Sequence, residues 1–161
     1  MSAKDSILKN LLKEDANEEI LFEQYRLYVE MANNITNHRN NTNKFYVTLI
    51  SLLISIFSII TSITHELIIF IIPLMIIIGI SYIWMKNIES YSALNHGKFD
   101  VINEIENKLP ARGFTIEWEL IKLYNYKELT KVEKNVPKAI CIIAIIAIIL
   151  LIFIQKGYCI F

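Results

Sequence analysis

The chain has 161 residues, the length of one domain, with 16 basic and 16 acidic side chains and a formal charge of zero, so it carries no positive excess for nucleic acid. Hydrophobic residues at 54% and a mean hydropathy of +0.42 exceed what soluble domains carry. Four glycines leave no phosphate-cradling loop, and three histidines and two cysteines lie too far apart for zinc spacing or a disulfide pair, which argues against a soluble enzyme.

Residues 1–14 place Ile7, Leu8, Leu11 and Leu12 on one helical face with Lys4, Lys9 and Lys13 around it. That pattern fits either a membrane-surface helix or a short helix packed on the rest of the protein. Residues 1–15 mix charge and leucine, so no secretory signal is expected there. Asp15 and Asn17 are N-cap candidates for a helix that carries Leu21, Tyr25, Tyr28, Ala32 and Ile35 along one stripe. Six asparagines then crowd residues 33–43. Asparagine is a poor helix former, so this stretch is expected to fray or bend, or else to line a wet vestibule in an oligomer; compositional drift explains it equally well.

Three apolar runs follow. Residues 45–63 and 67–85 are 19 residues each without a charge. At 1.5 Å per residue each reaches about 28 Å, close to the ~30 Å hydrocarbon thickness of a bilayer. Only Thr64, His65 and Glu66 separate them, which forces a tight antiparallel hairpin with an outer turn at His65 and Glu66. The third run, 139–154, is 16 of 16 apolar, short for a span and open to the alternative of a buried soluble helix.

Between the second and third runs, Ile88, Tyr91, Leu94, Phe99, Ile102, Ile105 and Leu109 keep a near-heptad pattern. This predicts a helix running on to Leu109 and ended by Pro110. Thr115 is placed to cap a further helix bearing Trp118, Ile121 and Tyr124. Thr130 with Glu133 fits a capping box, and Pro137 is expected to start or kink the third span.

Six Lys/Arg lie in residues 1–44 and nine in 86–138, whereas the hairpin turn carries a single negative charge. The positive-inside rule therefore puts both basic segments in the cytoplasm, the N-terminus inside, and the tail 155–161 outside. Phe45, Tyr46, Tyr82 and Trp84 would mark the inner interface. The expected fold is all-α: an integral membrane protein with a transmembrane hairpin, a third C-terminal transmembrane helix and long cytoplasmic helices (1–44 and 86–138), embedded in the lipid bilayer as its first partner.

Inside the first span Thr48, Ser51, Ser55, Ser58 and Ser62 are spaced 3, 4, 3 and 4 and make one polar stripe. Small hydroxyl residues serve as a helix-packing seam, or they line a narrow aqueous path around an oligomer axis. No Asp, Glu, Lys, Arg or His interrupts any span, so no intramembrane proton relay or coupling-ion site is expected. His65 and Glu66 would form a charged ring at the mouth of an oligomer, or else remain solvated turn residues. His38, His96 and Cys159 converge with no partner in sequence, and Glu104/Glu106 and Glu117/Glu119 are i,i+2 pairs that point apart on a helix. No catalytic constellation, metal site or cofactor is expected. Glu30, Arg39, Lys98, Glu104 and Glu106 are candidates for ion pairs between the long helices or between subunits.

The segment Tyr91, Leu94-Asn95, Gly97-Lys98-Phe99, Val101-Ile102, Glu104, Glu106, Leu109-Pro110, Phe114 and Glu117-Trp118 carries a family likeness. With Tyr28 to Ala32, Val132-Glu133 and Val136-Pro137, it resembles the RipA-family octameric membrane proteins of bacteria over residues 20–140. More loosely, the hairpin flanked by long cytoplasmic helices looks like the SLATT group of membrane effectors. The chain departs from the RipA pattern with His38-Arg39 where a basic pair is expected. The resemblance implies a homo-oligomer, an octamer, in the bacterial cytoplasmic (inner) membrane, and the SLATT likeness adds a pore or membrane-disrupting activity. Three functions follow as expectations: a ring that conducts or gates, a non-conducting scaffold that holds a cytoplasmic protein partner near Tyr91, Phe99 and Trp118, or a subunit of a larger envelope complex that is monomeric on its own.

Overall fold

A computed structural model describes residues 3–9, 11, 17–63, 67–124 and 126–158. The outer turn at His65 and Glu66, the cap candidate Asp15, Leu12, Lys13 and Cys159 lie outside the described residues. Among the described residues every regular element is helical. The order is α1 (Ala3–Leu8), α2 (Glu18–Ile63), a short 3₁₀ turn (Leu67–Phe70), α3 (Ile71–Glu106), α4 (Gly113–Leu123) and α5 (Leu129–Tyr158).

Asn17 caps α2, its side-chain oxygen accepting the Glu19 N–H at 3.0 Å. The asparagine-rich stretch neither frays nor bends out of helix, because α2 runs unbroken for 46 residues. The modest intrinsic cost of asparagine is overridden by the buried stripe on the same helix and, at Asn43, by a side-chain hydrogen bond described below. α3 leaves α-helical geometry at Glu106, and the chain continues through tighter turns (Lys108 N–H to Ile105 C=O at 3.0 Å, Leu109 N–H to Glu106 C=O at 3.1 Å) before Pro110. α5 begins at Leu129 and carries Pro137 in its interior, so the third apolar run is the middle of a 30-residue helix rather than a 16-residue one.

The described chain forms two compact units. The first comprises Met1–His38 and Tyr91–Lys127, the second Arg39–Ser90 and Glu128–Phe161. In the first unit the predicted stripe of α2 is its buried face: Leu21, Ala32 and Ile35 are 4–8% exposed, and Ile102 and Ile105 of α3 are sealed completely or nearly so. Phe114 of α4 meets Phe99 edge-on at 5.6 Å and Tyr25 at 6.3 Å. Among the described residues, Glu30, Arg39, Lys98, Glu104 and Glu106 do not pair with one another within a single chain. Lys98 lies over the Tyr28 ring at 5.7 Å, Glu104 accepts from Asn107, and Arg39 faces Glu133 within the second unit.

The second unit packs α2, α3 and α5 around Tyr46, Ile50, Trp84 and Ile88, with Ile80 and Ile140 against them. Ser81 is fully buried, Ala144 is 3% exposed, and the Cys141 thiol approaches the Ile78 carbonyl, so the small residues of the second and third runs make the internal contact. Trp84 is not an interfacial anchor facing outward. Its ring stacks on Tyr46 at 5.6 Å, and its indole N–H donates to Asn43 at 2.8 Å; Asn87 in turn donates to the Tyr46 hydroxyl at 2.6 Å. Outside this core the spans expose a mostly apolar surface. Of the most hydrophobic stretch in each long helix only 11%, 22% and 11% is buried. Water would not tolerate so many exposed isoleucines, so the third run is a span rather than a buried soluble helix.

Candidate functional site

Glu106, at the last helical position of α3, is completely buried and accepts four hydrogen bonds. One carboxylate oxygen accepts the Phe114 N–H and the Tyr25 hydroxyl, both at 2.9 Å. The other accepts the Thr115 N–H at 3.0 Å and the Thr115 hydroxyl at 2.9 Å. α4 starts at Gly113 and its N-cap Arg112 makes no side-chain cap bond. Glu106 therefore supplies from the preceding helix what an N-cap side chain normally supplies: an acceptor for the second and third N–H groups, with its negative charge at the positive end of the α4 dipole. Thr115, expected to be the cap, instead donates to it.

Burial alone would raise the Glu106 pKa. The N–H groups of Phe114 and Thr115 and the two hydroxyls outweigh burial and hold the carboxyl below its ordinary value of 4.5. Burial, together with the hydrogen bond to Glu106 and its charge, pushes the Tyr25 phenol up to about 12.

Beside this hub the first unit carries a groove of about 400 Å³ between α3 and α4. Asn95, Phe99 and Asn103, each one helical turn apart, form its floor with His96 and Asp100, and Phe114, Glu117, Trp118, Ile121 and Tyr126 form its other wall. Asp100 is paired with Lys4 of α1 at 2.6 Å, and the Lys122 ammonium sits over the Trp118 ring at 5.4 Å.

The structure thus brings Asn95, Phe99, Glu117 and Trp118 of the sequence motif to one groove. Tyr91, Gly97, Lys98, Glu104 and Pro110 are not among its lining residues; Glu106 stands behind it, bonded to the N-terminus of α4. His96, Asp100, Asn103 and Tyr126 complete the groove and were not singled out for it from sequence. The i,i+4 recurrence of Asn95, Phe99 and Asn103 was the signal available for the floor.

In the second unit Thr48, Ser51, Ser55, Ser58 and Ser62 are all exposed along α2. Three of the hydroxyls donate to their own helix: Ser55 to Ser51 C=O and Ser58 to Ile54 C=O, both at 2.9 Å, and Ser62 to Ile59 C=O at 2.7 Å. The stripe is therefore not the seam that holds this chain's own spans together. Arg39 and Glu133 are largely buried and 3.6 Å apart, beyond hydrogen-bond length, so Glu133 serves an ion pair across helices, and α5 begins at Leu129, one residue before Thr130. Past the second apolar run, hydrogen bonds from Lys134 (2.8 Å) and Lys86 (3.0 Å) hold Glu89 at a pKa of about 2. Among the described residues no group of three His, Cys, Asp or Glu side chains is gathered as a metal ion would require.

Three helices long and apolar enough to cross a membrane, lipid-ready on most of their surface, define a multi-span α-helical membrane protein with a helical unit formed by the segments between and before its spans. The chain belongs to the octameric membrane protein family (8xMP), whose sequence profile matches residues 22–154 and so takes in both units and all three spans. It is accordingly a self-associating membrane protein. No curated protein and no solved structure matches it.

Proposed function

We propose that copies of this chain stand side by side in the bacterial cytoplasmic membrane, N-terminus inward, as a RipA-like ring whose first spans approach the axis and which conducts or gates. The observation that carries this reading is the exposed hydroxyl stripe of α2, in contrast to Ser81 of the second span, which is fully buried. A seam within the protomer would be covered by α3 or α5; this one is left for a neighbouring copy or for water at an axis. Because the Ser55, Ser58 and Ser62 hydroxyls are bonded to their own helix, they can face a hydrated path at little cost. The Lys/Arg distribution supports the orientation.

Replacing Ser55 and Ser58 with leucine is expected to abolish conductance in planar bilayers while the assembly keeps its size. Unchanged conductance at unchanged size would overturn the pore reading.

A second reading, a non-conducting scaffold that holds a cytoplasmic partner, is favoured by the groove, because Phe99 and Trp118 meet there with the acidic Glu117 beside them. Under it Phe99→Ala or Trp118→Ala costs roughly 2 kcal/mol or more of partner affinity, as central aromatic anchors do. The partner would then be lost from crosslinked, affinity-purified protein, whereas Tyr91→Ala, outside the groove, would retain it. Both readings assign the protein a role without catalysis.

A further inference from the structure

The first unit presents two apolar faces that the described chain leaves largely exposed. On α2, flanking its buried stripe, Ile20 is 58% exposed, Leu27 55% and Met31, whose sulfur the Lys98 ammonium approaches at 3.9 Å, 40%, spaced seven and four residues apart. On α4, whose Phe114 is turned against Phe99 and Tyr25, Ile116 is 51% exposed, Leu120 48% and Leu123 78%, spaced four and three. The two faces lie on different helices and share no residue. Each is a regular helical stripe, unlike the scattered single apolar residues common on any surface.

Spans in lipid gain nothing from the hydrophobic effect by touching one another, since lipid is as apolar as they are. Apolar stripes on a unit outside the lipid do gain from being covered, and so are placed to drive assembly. Family membership states what is at hand to cover them, namely further copies of the same chain. Copies that insert through one membrane in one direction can be related only by an axis along the membrane normal, because an axis in the membrane plane would invert half of them. Around such an axis, in a ring of more than two copies such as the octamer the family is named for, each contact between neighbours is head-to-tail and joins two different patches.

We infer that in the oligomer the Ile116–Leu120–Leu123 face of α4 on one copy seats on the Ile20–Leu27–Met31 face of α2 on the next. The inference rests on the proposed placement of the first unit outside the lipid, but not on whether the ring conducts.

The test uses the full chain in native membranes, with Cys141 and Cys159 replaced by serine so that introduced thiols report alone. Leu27→Cys and Leu120→Cys are made singly and together and treated with a short bis-maleimide. Head-to-tail contact predicts that the double variant gives a ladder of covalent multimers. Neither single variant should crosslink to itself, and the two singles expressed together should stop at dimers. Ile20→Cys with Leu123→Cys provides a second pair across the same contact. Single variants that crosslink to themselves would show a two-fold contact and overturn the proposal. No ladder from either pair, in protein that still sizes as an oligomer by light scattering, would place the contact elsewhere. Protein that sizes as a monomer before any crosslinker is added would instead refute self-association itself, so the two failures are distinguishable.

Discussion

Replacing Glu106 with alanine is expected to detach α4 from the first unit. Four donors, two of them backbone N–H groups at a helix N-terminus, lose a buried charged acceptor at once. Hydrogen bonds to charged groups contribute roughly 1.5–3 kcal/mol each but are not additive around one atom pair, so a loss of about 3–5 kcal/mol is expected. Hydrogen exchange would show it as loss of protection across residues 113–123, with the spans still protected. Glu106→Gln is the sharper comparison, because it keeps the volume but replaces one acceptor oxygen with a donor facing donors. Tyr25→Phe removes a single bond and should cost about 1 kcal/mol.

The same hub sets the pH range of the first unit. Glu106 has its folded pKa depressed, so its contribution is fully present above the ordinary value of 4.5 and is lost as pH falls from there through the lower folded value. Tyr25 is raised from 10.0 to about 12, so its contribution is present below pH 10 and is lost as pH rises between 10 and about 12. The stability of the first unit should therefore be flat between these limits and fall at both ends. In Tyr25→Phe only the alkaline fall should disappear.

The second large effect is expected at Trp84. It is 3% exposed, stacks on Tyr46 and donates its N–H to Asn43. Truncation to alanine leaves a cavity in the core of the second unit, and buried Phe/Trp→Ala changes typically cost about 3–5 kcal/mol. Unfolding in mixed micelles should report this as a marked drop in midpoint. Trp84→Phe keeps most of the ring volume but leaves the Asn43 oxygen without its donor, so about 1–2 kcal/mol is expected. Asn43→Ala in the Trp84→Phe background should then cost little more, since the two residues act as one pair. A midpoint for Trp84→Ala within error of the parent would show that the cluster does not carry the packing of the three spans.

Much of this architecture was legible before any coordinates. Three charge-free runs of sufficient length can only be satisfied in a bilayer as helices, because lipid offers the backbone no other partner. The spacing of Leu21, Ala32 and Ile35 identified the covered face of α2 because helical periodicity and burial are the same fact seen from two sides. The hydroxyl stripe was equally visible as a line on a helix. What covers a line is not written in its period. Whether the serines or Ser81 made the internal seam depended on which faces of α2, α3 and α5 meet, and the tertiary packing buried Ser81 and left the serines outside.

The same limit separates the motif from the site. Glu104 and Glu106 read as equal members of an i,i+2 pair, yet one accepts from nearby Asn107 and the other joins three helices. The difference is made by Tyr25, 81 residues earlier, and by a turn that aims the start of α4 back at the end of α3. Likewise Trp84 reads as an interface anchor until Asn43, 41 residues away, takes its N–H into the core. Amino-acid pattern determined that this chain is helical, three times spanning and striped, since those follow from local periodicity and the solvent each face can tolerate. Only tertiary structure decided which polar group becomes a cap and which aromatic becomes core, because a partner distant in sequence leaves no periodic trace.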